Sequence, residues 1–62
     1  MLYMIVYRWL DSRTNSWHRH NTKWHKTSDA AWDEKEKFEK SLGEYCLESS
    51  AAITTRRIIN GQ

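Results

Sequence analysis

The sequence predicts a small α+β protein in which one helix packs across a mainly antiparallel sheet, in the order β-β-α-β. Three observations predict this class. Residues 2–10 are apolar at nearly every position, residues 30–42 have helical spacing with opposite charges four positions apart, and residues 51–60 are rich in β-branched side chains. A helix between strands of one short chain has to bury its apolar stripe against a face of their sheet.

The first predicted strand covers residues 2–10, LYMIVYRWL, which contain no breaker. Apolar side chains at nearly every position predict a strand buried on both faces, because no stripe of 3.6-residue period is visible. Turn-forming residues follow in the segment 11–16, DSRTNS, and predict a hairpin to a second strand over residues 17–26. That strand is polar on both faces apart from its tryptophans, so we expect it to lie at a sheet edge or to be partly irregular around Asn21.

The helix is predicted over residues 30–42, because Thr27, Ser28 and Asp29 are suitable N-cap and first-turn residues and Gly43 is a suitable C-terminal stop. Residues 44–50 could be a short strand or a loop. Residues 51–60, AAITTRRIIN, are predicted as the last strand. The candidate core residues are Leu2, Met4, Val6, Tyr7, Trp9, Leu10, Trp32, Phe38, Leu42, Tyr45, Leu47, Ile53, Ile58 and Ile59.

The length of 62 residues predicts a single domain, residues 1–62, near the lower size limit for folding without staples. The one cysteine, Cys46, cannot form a disulfide within a monomer. No apolar stretch approaches the length of a membrane span, and no export signal precedes the first strand, so we expect a cytoplasmic protein. The apolar last strand, with Ile58 and Ile59, makes a homodimer plausible, because an unprotected edge invites pairing.

The most distinctive segment is residues 13–26, RTNSWHRHNTKWHK, in which cations, histidines and tryptophans alternate without an acid. Single-stranded nucleic acid binds to such mixtures through phosphate contacts and base stacking. Protein interfaces concentrate binding energy in the same residue types, and an ordinary edge strand with a wet basic face would look alike. The candidate partner-binding residues are Arg13, Trp17, His18, Arg19, His20, Lys23, Trp24 and Lys26.

Metal and catalytic chemistry have little support in the sequence. His18 and His20 lie two apart and would share one face of a strand, but a zinc site needs a third and usually a fourth ligand. Cys46 has no local signature of a catalytic nucleophile, and no phosphate loop or serine elbow is present. We therefore expect no cofactor, no metal and no enzymatic activity.

In size and layout the chain resembles the short orphan proteins of phages and mobile elements that block host machines, as anti-CRISPR proteins do. The resemblance covers the whole chain in outline: 62 residues, β-β-α-β, aromatic-rich and without a catalytic motif. It implies an inhibitor that binds a host protein or ribonucleoprotein in the host cytoplasm. The alternative function is a small nucleic-acid-binding regulator that uses the same basic, aromatic residues.

Overall fold

The computed structural model describes residues 1–58 and confirms the predicted β-β-α-β order. Its elements are β1 (Leu2–Asp11), β2 (Ser16–Asn21), α1 (Ser28–Leu42), a 3₁₀ turn (Gly43–Tyr45) and β3 (Cys46–Arg56). The three strands form one antiparallel sheet in the order β2-β1-β3, so the first strand of the chain is the central one.

The helix covers one face of this sheet, which we call the covered face. Odd-numbered residues of β1 point towards α1, and Ile5 and Tyr7 are completely buried there. Phe38 of α1 packs edge-on against the ring of Tyr7, with 6.0 Å between ring centroids, and against Trp9 at 5.1 Å. The core is therefore an aromatic cluster between the middle of β1 and the middle of α1.

The other face of the sheet carries the even-numbered residues of β1 and is called the open face. The prediction that β1 is buried on both faces is wrong, because the described chain supplies one helix and one helix covers one face. Leu2, Met4, Val6 and Leu10 are half-buried there rather than enclosed. Five further candidate core residues are exposed: Trp32, Tyr45, Leu47, Ile53 and Ile58.

The predicted bounds of the helix are nearly confirmed, and those of the last strand are wrong. The hydroxyl of Thr27 accepts a hydrogen bond from the N–H of Ala30 at 3.2 Å, which starts the helix at Ser28. The last strand begins at Cys46, five residues earlier than predicted, and ends at Arg56. Pairing along the whole of β1 extends the strand through residues of low β propensity. Arg57 and Ile58 follow the strand and do not belong to it, and residues 59–60 of the predicted strand, including Ile59, lie outside the described residues.

A bulge-like irregularity follows β2, which ends at Asn21 instead of continuing to residue 26. Asn21 pairs with Val6, yet His25 pairs with Tyr3, so this edge contains one residue more than the facing part of β1. The side chain of buried Thr22 compensates, since its hydroxyl accepts from the N–H of Ile5 at 2.9 Å. The extra residue reverses the alternation of faces beyond this point.

Candidate binding surface on the open sheet face

Two arginines of neighbouring strands lie directly opposite each other on the open face. Arg8 of β1 is the cross-strand partner of Arg19 of β2, and both are exposed. Within residues 1–58, no carboxylate forms an ion pair with either guanidinium. Like charges directly opposite on a sheet are destabilising. The sheet therefore holds two positive charges whose repulsion an anionic group from outside would relieve.

Trp17 stands next to this arginine pair. It pairs across the strands with Leu10, which makes it the next pair after Arg8 and Arg19 on the same face. Its side chain is 55 % exposed. An open depression of about 340 Å³ is lined by Arg8, Trp17 and Ser50. The depression lies where β3 contributes the small residue Ser50 opposite Arg8 of β1. A flat aromatic surface and the Arg8 guanidinium thus border this groove, and Arg19 lines a second depression beside Trp17.

A second tryptophan lies towards the other end of the same face. Because the irregularity at Thr22 reverses the alternation, Trp24 shares the open face with Trp17 instead of facing the helix. The guanidinium of Arg56 lies over the Trp24 ring, 5.8 Å from its centroid. Trp24 is half-buried, so it offers less free area than Trp17. These residues and those between them make up the open-face site: Met4, Val6, Arg8, Trp17, Arg19, Trp24 and Arg56.

The basic side chains on the open face are all arginines in the described strands, and the lysines lie elsewhere. Lys23 and Lys26 lie in the connection between β2 and α1, and the remaining lysines are on α1. The one acid that the described strands place on the face is Glu48, whose cross-strand partner is Leu10. The site therefore combines an apolar strip along β1 with arginine and tryptophan at its borders.

The structure divides the residues predicted to bind a partner between the two faces. Trp17, Arg19 and Trp24 lie on the open face. His18 and His20 lie on the covered face, where the first stacks on Trp9 with 5.4 Å between ring centroids and the second on Phe38 at 3.9 Å. The two histidines share a face, as their spacing predicts, but each ring packs against an aromatic neighbour. Within residues 1–58 no three metal-ligating side chains converge.

Arg13 is held by the hairpin turn. Its guanidinium donates to both carboxylate oxygens of Asp11, at 3.1 and 2.9 Å, and it lies 4.3 Å from the ring centroid of Tyr45. The side-chain hydrogen bond from Arg13 lowers the pKa of the Asp11 carboxyl and raises the pKa of the guanidinium. Arg13 therefore stabilises the turn at the end of β1 and lies apart from the open-face site.

Arg8 and Arg56 belong to the site, although neither is among the residues predicted to bind a partner. Arg8 is the one charged residue inside an otherwise apolar strand, and this was a usable signal that β1 has a solvated face. Arg56 joins the site through strand order alone, because β3 pairs beside β1 with Arg56 opposite Leu2. No local pattern in the sequence encodes that neighbour relationship.

The covered face contains one buried phenol, that of Tyr7. Its hydroxyl donates to Glu39 at 3.3 Å and lies 3.4 Å from the thiol sulfur of Cys46. Burial, reinforced by the hydrogen bond to Cys46, raises the pKa of Tyr7 to about 12. The phenol is thus a neutral donor that ties α1 to β1, and the geometry gives it a role in packing.

Comparison of the chain with protein-family models, with curated proteins and with solved structures found no match. Among residues 1–58, no helix combines the length and apolar character needed to cross a membrane.

Proposed function

We propose that this chain is a small non-enzymatic binding protein whose open-face site docks onto another protein. The observation that carries the proposal is the exposed Trp17 beside the facing arginines Arg8 and Arg19, whose charges no acid of residues 1–58 balances. Both sides of the repulsive pair are exposed on a face that no described helix covers. The repulsion between the two arginines destabilises the free protein, and a bound acidic group of a partner would remove that repulsion.

The residue types of the site support a protein partner. Tryptophan, methionine and arginine are enriched in protein interfaces, whereas lysine and glutamate are depleted. The open-face site has this composition, with Met4 and Val6 between the two tryptophans. Arginine forms paired hydrogen bonds to carboxylates and is more weakly hydrated than lysine. The partner surface that fits is therefore apolar at its centre, with acidic side chains where it meets Arg8 and Arg19.

The size of the face limits the affinity it can give. Ten residues at about 3.4 Å each and three strands at about 4.8 Å spacing make a face of the order of 500 Å². A standard interface buries about 800 Å² on each partner. Binding energy would then have to concentrate in a few side chains, and Trp17 is the large aromatic residue that is free to provide it.

The biological form of this proposal is a phage-type inhibitor that occupies a surface of a host protein or ribonucleoprotein in the host cytoplasm. Its support is the outline resemblance to short inhibitors of that kind and the absence of a catalytic motif in the sequence. The alternative is a nucleic-acid-binding regulator. One observation favours that alternative: two tryptophans and three arginines share one sheet face, as in surfaces that stack bases and contact phosphates.

The test places a photo-crosslinking amino acid at Ser50, which lines the depression beside Trp17, and, separately, at Lys37, an exposed helix position 78 % accessible, and captures partners from a host lysate treated with nuclease. We expect a protein band from position 50 that disappears when Arg8→Glu and Arg19→Glu are added. A charge-reversed helix control, Lys40→Glu, should leave the band intact. Equal bands from both crosslinker positions would contradict the open-face site.

A second measurement separates the two partner classes. Tryptophan fluorescence is titrated with short single- and double-stranded oligonucleotides at two salt concentrations. No quenching at low salt is the expected result for a protein-binding face. Quenching would establish the alternative if the binding affinity falls steeply with salt: a log–log slope of about −3 corresponds to roughly four phosphates on a single strand.

A further inference from the structure

The outer edge of β3 is long and unprotected. β3 runs for eleven residues at the edge of the sheet, and every residue after Cys46 is exposed. Within the described chain no strand pairs with its outer side. Natural sheets protect such edges with charges, proline or bulges, yet residues 49–55 contain no charged residue and no proline. The opposite edge, β2, is six residues long and is followed by the irregularity at Thr22.

The backbone groups that point outward from β3 can be assigned. The backbone N–H and C=O of Tyr3 form hydrogen bonds with His25, and those of Ile5 form hydrogen bonds with Thr22. The backbone N–H and C=O groups of odd-numbered residues of β1 therefore point within the sheet towards β2. Because these groups alternate in direction along an antiparallel strand, the even-numbered residues of β1 form their backbone hydrogen bonds with their even-numbered partners in β3. The outward N–H and C=O groups of β3 therefore belong to Ser49, Ala51, Ile53 and Thr55, and the register shift between Leu10 and Asp11 puts Leu47 outside this alternation.

We propose that β3 pairs antiparallel with β3 of a second copy of this chain, with the two-fold axis at Ala52, to give a continuous six-stranded sheet. In this register Glu48 of each copy lies opposite Arg56 of the other, on the same open face. These are the two charged residues within β3, and they lie at equal distances from Ala52. Opposite charges across a strand pair are stabilising, and like charges are not.

The remaining pairs in this register are also complementary. Ser50 faces Thr54 and Ser49 faces Thr55, which are pairs that hydrogen-bond across strands. Ala51 faces Ile53, so a large and a small side chain alternate on the covered-face side. Sliding the register by two residues in either direction takes Glu48 away from Arg56 and places it opposite Thr54 or Ile58. Charge complementarity thus selects one register among the nearest alternatives.

The position of α1 leaves room for the second copy. The helix lies mainly over the central strand β1, where Phe38 packs against Tyr7. Ile53, which projects from β3 on the same side, is 43 % exposed. Pairing would cover this side chain against Ala51 of the other copy. Arg56 would exchange its exposed contact with the Trp24 ring for the carboxylate of Glu48 across the axis.

The dimer goes beyond the proposed function and does not depend on it, because it uses the edge of the sheet and needs no other molecule. It would also place two open-face sites side by side on one sheet, which doubles the face of the order of 500 Å² available to a partner.

The decisive experiment is disulfide trapping in a Cys46→Ser background, with Ala52→Cys compared with Ala51→Cys. At the axis the two residues 52 form a non-hydrogen-bonded pair with Cα atoms about 4.5 Å apart, within the range of a disulfide. Residues 51 of the two copies are offset by two positions and lie roughly 8 Å apart, beyond that range. We expect a covalent dimer from Ala52→Cys alone after mild oxidation. Trapping through position 51 instead, or through neither position, would overturn the register or the dimer.

Charge reversal gives an independent test by sedimentation of the chain alone. We expect Glu48→Arg to raise the dimer Kd by about fivefold or more, because each dimer then contains two like-charge pairs, and we expect the double variant E48R/R56E to restore it within about twofold. Glu44→Arg makes the same charge change off the strand and should have no such effect. A wild-type chain that stays monomeric at millimolar concentration refutes the proposal whatever the open face binds.

Discussion

The covered and open faces of the same three strands present similar residue types in opposite conditions. On the covered face, His20 stacks on Phe38 and the Tyr7 hydroxyl has two partners. On the open face, Trp17 is 55 % exposed and Arg8 faces another arginine. Aromatic side chains thus pack against neighbours within the chain on one side and are left available on the other. The position of a single helix, rather than residue type, decides which of them can bind a partner.

The largest expected difference between the two faces is in how much a substitution lowers the free energy of unfolding. Tyr7→Ala removes a completely buried ring and should cost about 3–5 kcal/mol, comparable with the whole stability expected for a domain of this size. Val6→Ala, its neighbour on the open face, should cost about 1 kcal/mol or less. Urea unfolding followed by circular dichroism measures both variants. Similar losses at the two positions would show that the faces are equally buried.

Alkaline pH should weaken the covered face through the same tyrosine. Because the pKa of Tyr7 is raised to about 12, its neutral form is favoured by folding. The resulting stability is fully present below the unfolded pKa of about 10 and is lost as the pH rises from about 10 towards 12. Melting temperature should fall over this window in the wild type and fall less in Tyr7→Phe. Parallel curves for the two proteins would contradict the assignment.

A substitution on the open face should affect partner binding strongly and the free energy of unfolding only slightly. Trp17→Ala should change the free energy of unfolding by about 0.5 kcal/mol or less, because the ring is largely exposed, yet it should abolish partner capture. Trp32→Ala, on the helix and 39 % exposed, is the matched control and should retain capture. Unfolding caused by Trp17→Ala would show that this ring belongs to the core.

The smallest expected effect concerns Asp11, at the end of β1. Its pKa is lowered by the hydrogen bond from Arg13, so the stabilisation is present above the usual carboxyl pKa of about 4 and is lost as the pH falls through the lower value of the folded state. The acid-side decline in melting temperature should therefore be shallower in Asp11→Asn than in the wild type. An unchanged decline would assign acid sensitivity to other carboxylates.

Local signals were sufficient for the elements and their order. The cap at Thr27, the stop at Gly43 and the turn formers after β1 all act over a few residues, and each is found where the sequence placed it. Burial was not local. Ile5, completely buried, was absent from the predicted core, whereas Ile53 was included and is exposed, because the side on which α1 lies cannot be inferred from either strand.

The site was predictable in part for the same reason. Trp17 and Arg19 were selected from composition, but strict alternation placed Trp24 on the other face. One extra residue at Thr22 reversed that alternation, and a slip of one residue moves every later side chain to the opposite face. Arg8 and Arg56 needed the strand order β2-β1-β3, which depends on pairing between distant parts of the chain.

The central position of β1 has a consequence for the time at which the fold can be completed. β1 is synthesised before the other described elements, and its pairing of Ile5 with Ile53 must wait for nearly all the described chain. At 5–20 residues per second, this interval lasts roughly 2–10 s, whereas the hairpin with β2 closes in microseconds. During those seconds one side of the most apolar strand is open to other nascent or misfolded chains. Rapid translation should therefore favour a high yield of native protein more than it would if β1 lay at the edge.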